Sequence, residues 1–157
     1  METESTGTQP KERARRFAEG LASASGLEIT ARIADEEPDA LTIAFEGPDA
    51  RLLVGRGGHV LDALQYLASL AVNRRGEPRL RLVLDADGYR ARREATLKRL
   101  AEDLADQVKS TGQEAVLDPL SPLERRVVHT ALAGDPGVRT YSEGEEPDRY
   151  IIISPAG

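Results

Sequence analysis

A chain of 157 residues with 39% hydrophobic content holds one ordinary domain or two small ones. Its lack of cysteine excludes disulfides, thiolate metal sites and a cysteine nucleophile, and two histidines, His59 and His129, leave no basis for expecting a metal or other cofactor. The net charge of −6 is unevenly spread: residues 1–49 carry 5 basic and 11 acidic side chains, residues 50–99 carry 11 and 5, and residues 100–157 carry 5 and 11.

The opening METESTGTQP is polar, and no run of eighteen apolar residues follows anywhere, so a signal peptide and membrane insertion are not expected and a cytoplasmic protein is. Residues 1–9 read as a disordered tail. From Pro10, Phe17, Leu21, Ala22 and Ala24 fall on one helical face that ends near Gly26. LEITARIA (27–34) and ALTIAFEG (40–47) alternate as strands, joined by the acidic linker DEEPD (35–39).

A short segment, ARLLV (50–54), then meets Gly55-Arg56-Gly57-Gly58 at the mouth of a helix whose apolar stripe is Val60, Leu61, Leu64, Leu67, Ala68, Ala71 and Val72. That helix breaks at NRRGEP (73–78), and RLRLVLD (79–85) follows as an edge or half-buried strand. A long helix is expected after Gly88 to about Ser110, buried along Leu97, Leu100, Ala101, Leu104, Ala105 and Val108. Its first half carries Arg92, Arg93, Lys98 and Arg99 against the helix dipole, which calls for a partner outside the helix. EAVLDP (114–119) reads as a short strand, SPLERRVVHTAL (121–132) as a helix opening with a capping box, and VRTYS (138–142) and RYIIIS (149–154) as closing strands. Together these make an α+β chain of two small domains in series, residues 10–86 and 87–157.

The glycine loop admits several readings. A dinucleotide fingerprint needs a glycine where Val60 stands and a parallel β-α-β frame, which the flanking strand order is not expected to form; a Walker loop needs Gly-Lys-Ser/Thr. What remains is a G-x-x-G clamp, in which missing side chains admit a phosphodiester backbone, helix-start N–H groups point at it, and Arg56 reaches a phosphate. A ligand-free turn between helices fits the same four residues.

LVGRGGHVLDALQYL (53–67), with VNR (72–74), resembles the KH region of the bacterial Jag, or SpoIIIJ-associated, family, also called KhpB or EloR. DADGYRARREATL (85–97) is similar to its joining helix, and PLERRVVH (122–129) with TYSEGEEPDR (140–149) to its R-three-H domain, named for an Arg and a His three residues apart. The likeness covers residues 11–155. It implies a type II KH fold (αββααβ) followed by an R-three-H domain of long helix, short strand, helix and two strands. It also implies a single-stranded RNA-binding protein, a post-transcriptional regulator or RNA chaperone linked to cell elongation and division. Two departures are visible: the loop has one basic residue, Arg56, where many relatives have two, and only a short tail stands where relatives carry a Jag-N domain, which this chain is expected to lack.

By this resemblance RNA contacts are expected at Gly55, Arg56, Gly57, Gly58 and His59 and at Arg125, Arg126, His129 and Arg149, with Val54, Val60, Leu61 and Leu64 bordering a groove for about four unpaired nucleotides. On residue chemistry alone His59 suits a solvent-facing or capping role, and Arg125 and His129 a surface ion pair and a satisfied histidine. The carboxylates of Glu143, Glu145, Glu146 and Asp148 would repel a phosphate strand unless turned away. No nucleophile, base or paired-carboxylate pattern points to an enzyme. The alternatives are an interaction scaffold, as a homodimer or with a small KH-domain partner, and a single-stranded DNA binder.

Overall fold

The computed structural model describes residues 5–157, with side chains from Gln9 onward. The chain divides into two compact units, one ending at Arg90 and the other spanning Ala91–Gly157.

The first unit runs α1 (Ser5–Ala24), β1 (Thr30–Glu37), β2 (Ala40–Glu46), a 3-10 turn (Ala50–Leu53), the glycine loop with a second 3-10 turn (Arg56–Gly58), α2 (His59–Val72) and β3 (Arg81–Ala86). Its sheet has the order β1-β2-β3. Helix α1 begins at Ser5 rather than Pro10, so Ser5–Gln9 of the expected tail are helical, and residues 1–4 lie outside the described residues.

Strand β1 sits later than its alternation suggested, and the acidic linker is part of it. Glu37 pairs with Ala40 across a turn containing only Pro38 and Asp39, and a bulge between Ile33 and Asp35 resets the register. The shift brings Glu36 under α1, where Lys11 (3.2 Å) and Arg15 (2.8 Å) meet its carboxylate and hold its pKa low, chiefly through the hydrogen bond from Lys11. Residues that look like loop are thus paired with β2 and met by cations distant in sequence.

Contrary to expectation, β2 and β3 pair in parallel, with Leu41, Ile43 and Phe45 beside Leu82, Leu84 and Ala86. Partners in register share a face, and these six are buried against Leu61, Ala68 and Val72 of α2 and Ala14 and Ala18 of α1. The glycine loop therefore does stand in a parallel crossover; the dinucleotide fingerprint still fails at Val60. Burying each leucine of this core contributes about 1.5–3 kcal/mol, which fixes α2, and the loop at its head, against the sheet.

The second unit comprises most of α3 (Tyr89–Thr111), then β4 (Ala115–Val116), α4 (Pro122–Leu132), β5 (Val138–Glu143) and β6 (Tyr150–Pro155), in an antiparallel sheet of order β4-β6-β5. Leu97, Ala101, Ala105 and Val108 of α3 pack with Val128, Leu132, Ile151 and Ile153. Leu100, expected in that stripe, is 43% exposed. Strand β4 pairs over two residues rather than six, since Pro119 lacks the N–H a longer ladder would need. Helix α4 has the expected cap: the Ser121 hydroxyl accepts from Glu124 N, and Glu124 Oε2 accepts from Ser121 N. No helix among the described residues is long and apolar enough to cross a membrane.

Candidate nucleic-acid interface

All three loop glycines have positive φ, 70° at Gly55, 59° at Gly57 and 81° at Gly58, but they serve different ends. A Cβ on Gly55 would lie 2.3 Å from Val60 Cγ2, and one on Gly58 would lie 2.8 Å from Tyr89 Cε1. Those two positions are closed by packing. At Gly57 a Cβ would meet only the His59 ring, at 3.7 Å. Gly57 therefore presents bare main chain outward, flanked by exposed Arg56 and His59. Arg56 has no carboxylate partner among the described residues, so its charge is available to an anion.

The helix start differs from the expected row of unpaired donors. The amides of Val60 and Leu61 both donate to Val54 O (3.1 and 3.3 Å), and that of His59 donates to Arg56 O. These bonds fold the loop back on the preceding turn, and Gly58, as N-cap in the left-handed region, offers α2 no side-chain cap. What the loop turns to solvent is the outer face of Arg56-Gly57 and the positive end of α2, rather than a comb of free N–H groups.

Of the expected groove residues, Leu61 and Val54 are buried in the core, Leu64 is half-buried and Val60 is 43% exposed. Only the last two have surface to offer. Tyr66, Leu67 and Leu70 extend the exposed apolar surface along α2.

The cations that crowd the start of α3 have partners. Arg90 donates to Leu84 O (2.7 Å), Asp62 (3.1 Å) and Gln65 (3.0 Å), while Arg93 donates to Glu124 Oε1 (2.8 Å). Asp85 Oδ1 accepts from the Arg90 amide, which satisfies one donor of the first turn.

In the second unit the Arg-x-x-x-His pair is less open than its spacing implied. Arg125 is buried, donates to Leu120 O (2.7 Å) and forms an ion pair with Glu146 of the acidic loop. One of the carboxylates counted as an obstacle is thus engaged. His129 is half-buried with Nδ1 2.6 Å from the Thr140 hydroxyl and Nε2 3.2 Å from that of Ser142. Burial, and secondarily the Arg125 charge, hold its pKa below 6.5. Arg149 bonds the carbonyls of Gly144 (2.8 Å) and Ser142 (3.4 Å) rather than the acidic side chains. Arg126 is exposed and has no carboxylate partner among the described residues. No group of three His, Asp or Glu side chains suited to a metal occurs among the described residues.

Residues 11–84 match the KH-domain family of KhpA and KhpB, and residues 95–155 match the R-three-H domain family; neither is an enzyme family. The RNA-binding protein KhpB of Clostridium symbiosum is 39% identical over 145 residues, covering 92% of this chain and 65% of that protein. KhpB of Lactiplantibacillus plantarum is 42% identical over 113 residues, 72% of this chain and 35% of that protein, and KhpB of Bacillus subtilis 35% over 140 residues, 88% and 65%. The chain spans less than two thirds of the length of each of these relatives. Two domains in the order the sequence suggested, with relatives of one name along most of the chain, bear out the resemblance: the chain belongs to the KhpB (Jag) family, with a KH domain of KhpA/KhpB type followed by an R-three-H domain.

Proposed function

We propose that the protein binds single-stranded RNA, the sugar-phosphate backbone crossing the glycine loop at Arg56-Gly57. The observation that carries this reading is the asymmetry of the loop: Gly55 and Gly58 are glycine for packing reasons, whereas Gly57 is open to solvent with an unneutralised guanidinium beside it. A bare main chain next to a cation suits close approach of a phosphodiester. The relatives named RNA-binding protein support the choice of polymer. Arg126, with Arg149 and His129 nearby in sequence or fold, is the proposed second contact, and Arg125 positions it. Joined in one chain, two modest sites strengthen each other through effective concentration. A cytoplasmic role as a post-transcriptional regulator or RNA chaperone in cell elongation and division goes with this reading.

The test is titration of short unstructured RNA over a salt series. Affinity should fall with salt, and Arg56→Ala should flatten the slope by about 0.7 for one lost phosphate contact. A salt-independent affinity, or none, contradicts the proposal. A matched DNA oligomer as competitor separates RNA from single-stranded DNA.

A second reading is favoured by the apolar surface of α2, where Tyr66, Leu67 and Leu70 are each more than half exposed. Such a stripe suits a second KH unit, in a homodimer or with a small KH-domain partner. Light scattering of the purified chain, with and without ribonuclease, decides it: association that survives digestion supports the protein contact.

A further inference from the structure

Strand β6 opens with a run of four apolar residues, Tyr150 to Ile153, the pattern of a strand covered on both faces. Only one of its faces meets the helices of its unit: Ile151 and Ile153 are fully buried against α3 and α4. Ile152, between them, belongs to the opposite face of the sheet. In register with it stand Val116 of β4 and Tyr141 of β5, so Val116, Ile152 and Tyr141 form one apolar row across all three strands. The flanking pair takes the exposure: Val116 is 62% and Tyr141 36% open to solvent, whereas Ile152 is buried. The solvent face of an antiparallel sheet ordinarily carries polar residues in such a row.

The acids around this row have no cation to meet. Glu114 accepts from the Tyr141 hydroxyl (3.1 Å), and Glu143, two residues along β5 on the same face, accepts from that of Tyr150 (3.3 Å). Neither is ion-paired among the described residues, nor are Glu145 and Asp148 in the adjoining loop, whereas Glu146 is held by Arg125. Arg139, with its Nε on the Ser154 hydroxyl (3.2 Å), is the one cation among the strand residues of this face. Such a surface repels a phosphate strand and complements lysine or arginine. A second copy of the same face would set like charge against like in a two-fold contact. A basic segment of another protein suits both the acids and the apolar row, since arginine also stacks on tyrosine rings.

We infer that the outer face of the β4-β6-β5 sheet docks a basic segment of a partner protein, whose apolar side chains lie on Val116 and Tyr141 and whose cations meet Glu114 and Glu143. The surface belongs to a different unit from the glycine loop and carries the opposite charge. It stands independently of the RNA-binding reading: with both, the chain holds a polyanion through one unit and a cationic protein through the other.

The experiment titrates the full chain with two synthetic peptides, one with a Val-Leu-Val centre flanked by arginines and one with glutamates in place of the arginines, and follows backbone amide shifts. The arginine peptide should shift the amides of Val116, Tyr141, Glu143 and Ile152. The glutamate peptide should bind at least about tenfold more weakly, because two exposed ion pairs become repulsions. The Glu114→Gln, Glu143→Gln variant should lose about tenfold in affinity for the arginine peptide and most of its salt dependence. The Val116→Ser, Tyr141→Ser variant should lose about tenfold and keep the salt dependence. The spectrum of each variant without peptide should show the sheet intact. No shift at these four amides, equal binding of the two peptides, or wild-type affinity in both variants overturns the proposal. So does a shift of the same amides by short RNA alone, or one that grows with protein concentration in the absence of peptide, which would assign the face to RNA or to a second copy.

Discussion

Gly58 and Tyr89 are in contact such that a Cβ on the glycine would stand 2.8 Å from Cε1 of the ring and 3.1 Å from its hydroxyl. The first residue of α3 thus closes one side of the glycine loop, and the loop's glycines divide into two that packing requires and one that it does not.

Gly58→Ala should therefore destabilise the KH unit by about 1–3 kcal/mol, from steric overlap together with the φ of 81°. Gly57→Asn should cost well under that, since Asn tolerates the left-handed region and the space is open. Urea unfolding of the two variants checks the difference; equal losses would contradict the division.

Arg125→Ala should cost about 2–3 kcal/mol, because it strands the Leu120 carbonyl and removes a charge-assisted bond to Glu146. Glu146→Gln should cost less, as that carboxylate is half exposed. If Arg125→Ala leaves the unfolding midpoint unchanged, the residue is not the structural tie described.

His129 gives the second unit a pH dependence of definite sign. Its folded pKa lies below the ordinary 6.5, so between those two values the unfolded chain binds more protons than the folded one. Stability should be fully present above about pH 7, fall as pH drops through about 6.5, and level off below the folded pKa. His129→Gln should remove that component; an identical pH profile for the variant would contradict it.

Glu124 uses its two oxygens for different tasks, Oε2 closing the capping box on Ser121 N and Oε1 holding Arg93 at 2.8 Å. Ser121→Ala should cost about 1 kcal/mol through the cap, and Ser121→Gly only a few tenths. Thermal unfolding of the pair tests this, and equal shifts would argue against the cap.

The elements that repeat a local pattern were legible in the sequence. The Ser-Pro-Leu-Glu start of α4 and the alternation of β2 and β3 each follow from residues a few positions apart, whereas the stripe expected on α2 is narrower than its spacing implied: Leu61, Ala68 and Val72 are buried, and Val60, Leu67 and Ala71 are exposed. What escaped depends on partners distant in sequence. Glu36 belongs to a strand through its pairing with Leu41, with Lys11 and Arg15 of α1 meeting its carboxylate, and the parallel pairing of β2 with β3 has no local signature. The glycine loop at the head of α2 was legible, but its helix-start amides were misassigned, since Val54 O takes two of them. Arg125 looked like a surface cation because the i, i+4 spacing puts it on a face with His129 without revealing that the face turns inward.

The central claim, that the outer face of Arg56-Gly57 seats a phosphodiester, is tested most directly by comparing Gly57→Asp with Gly57→Asn in RNA titrations at one salt concentration. Both side chains suit the left-handed backbone and occupy the same volume, so they differ only in charge. The account predicts that the aspartate variant loses at least about tenfold in affinity relative to the asparagine variant, by repulsion of the phosphate. Equal binding by both variants, at the wild-type level, would contradict it.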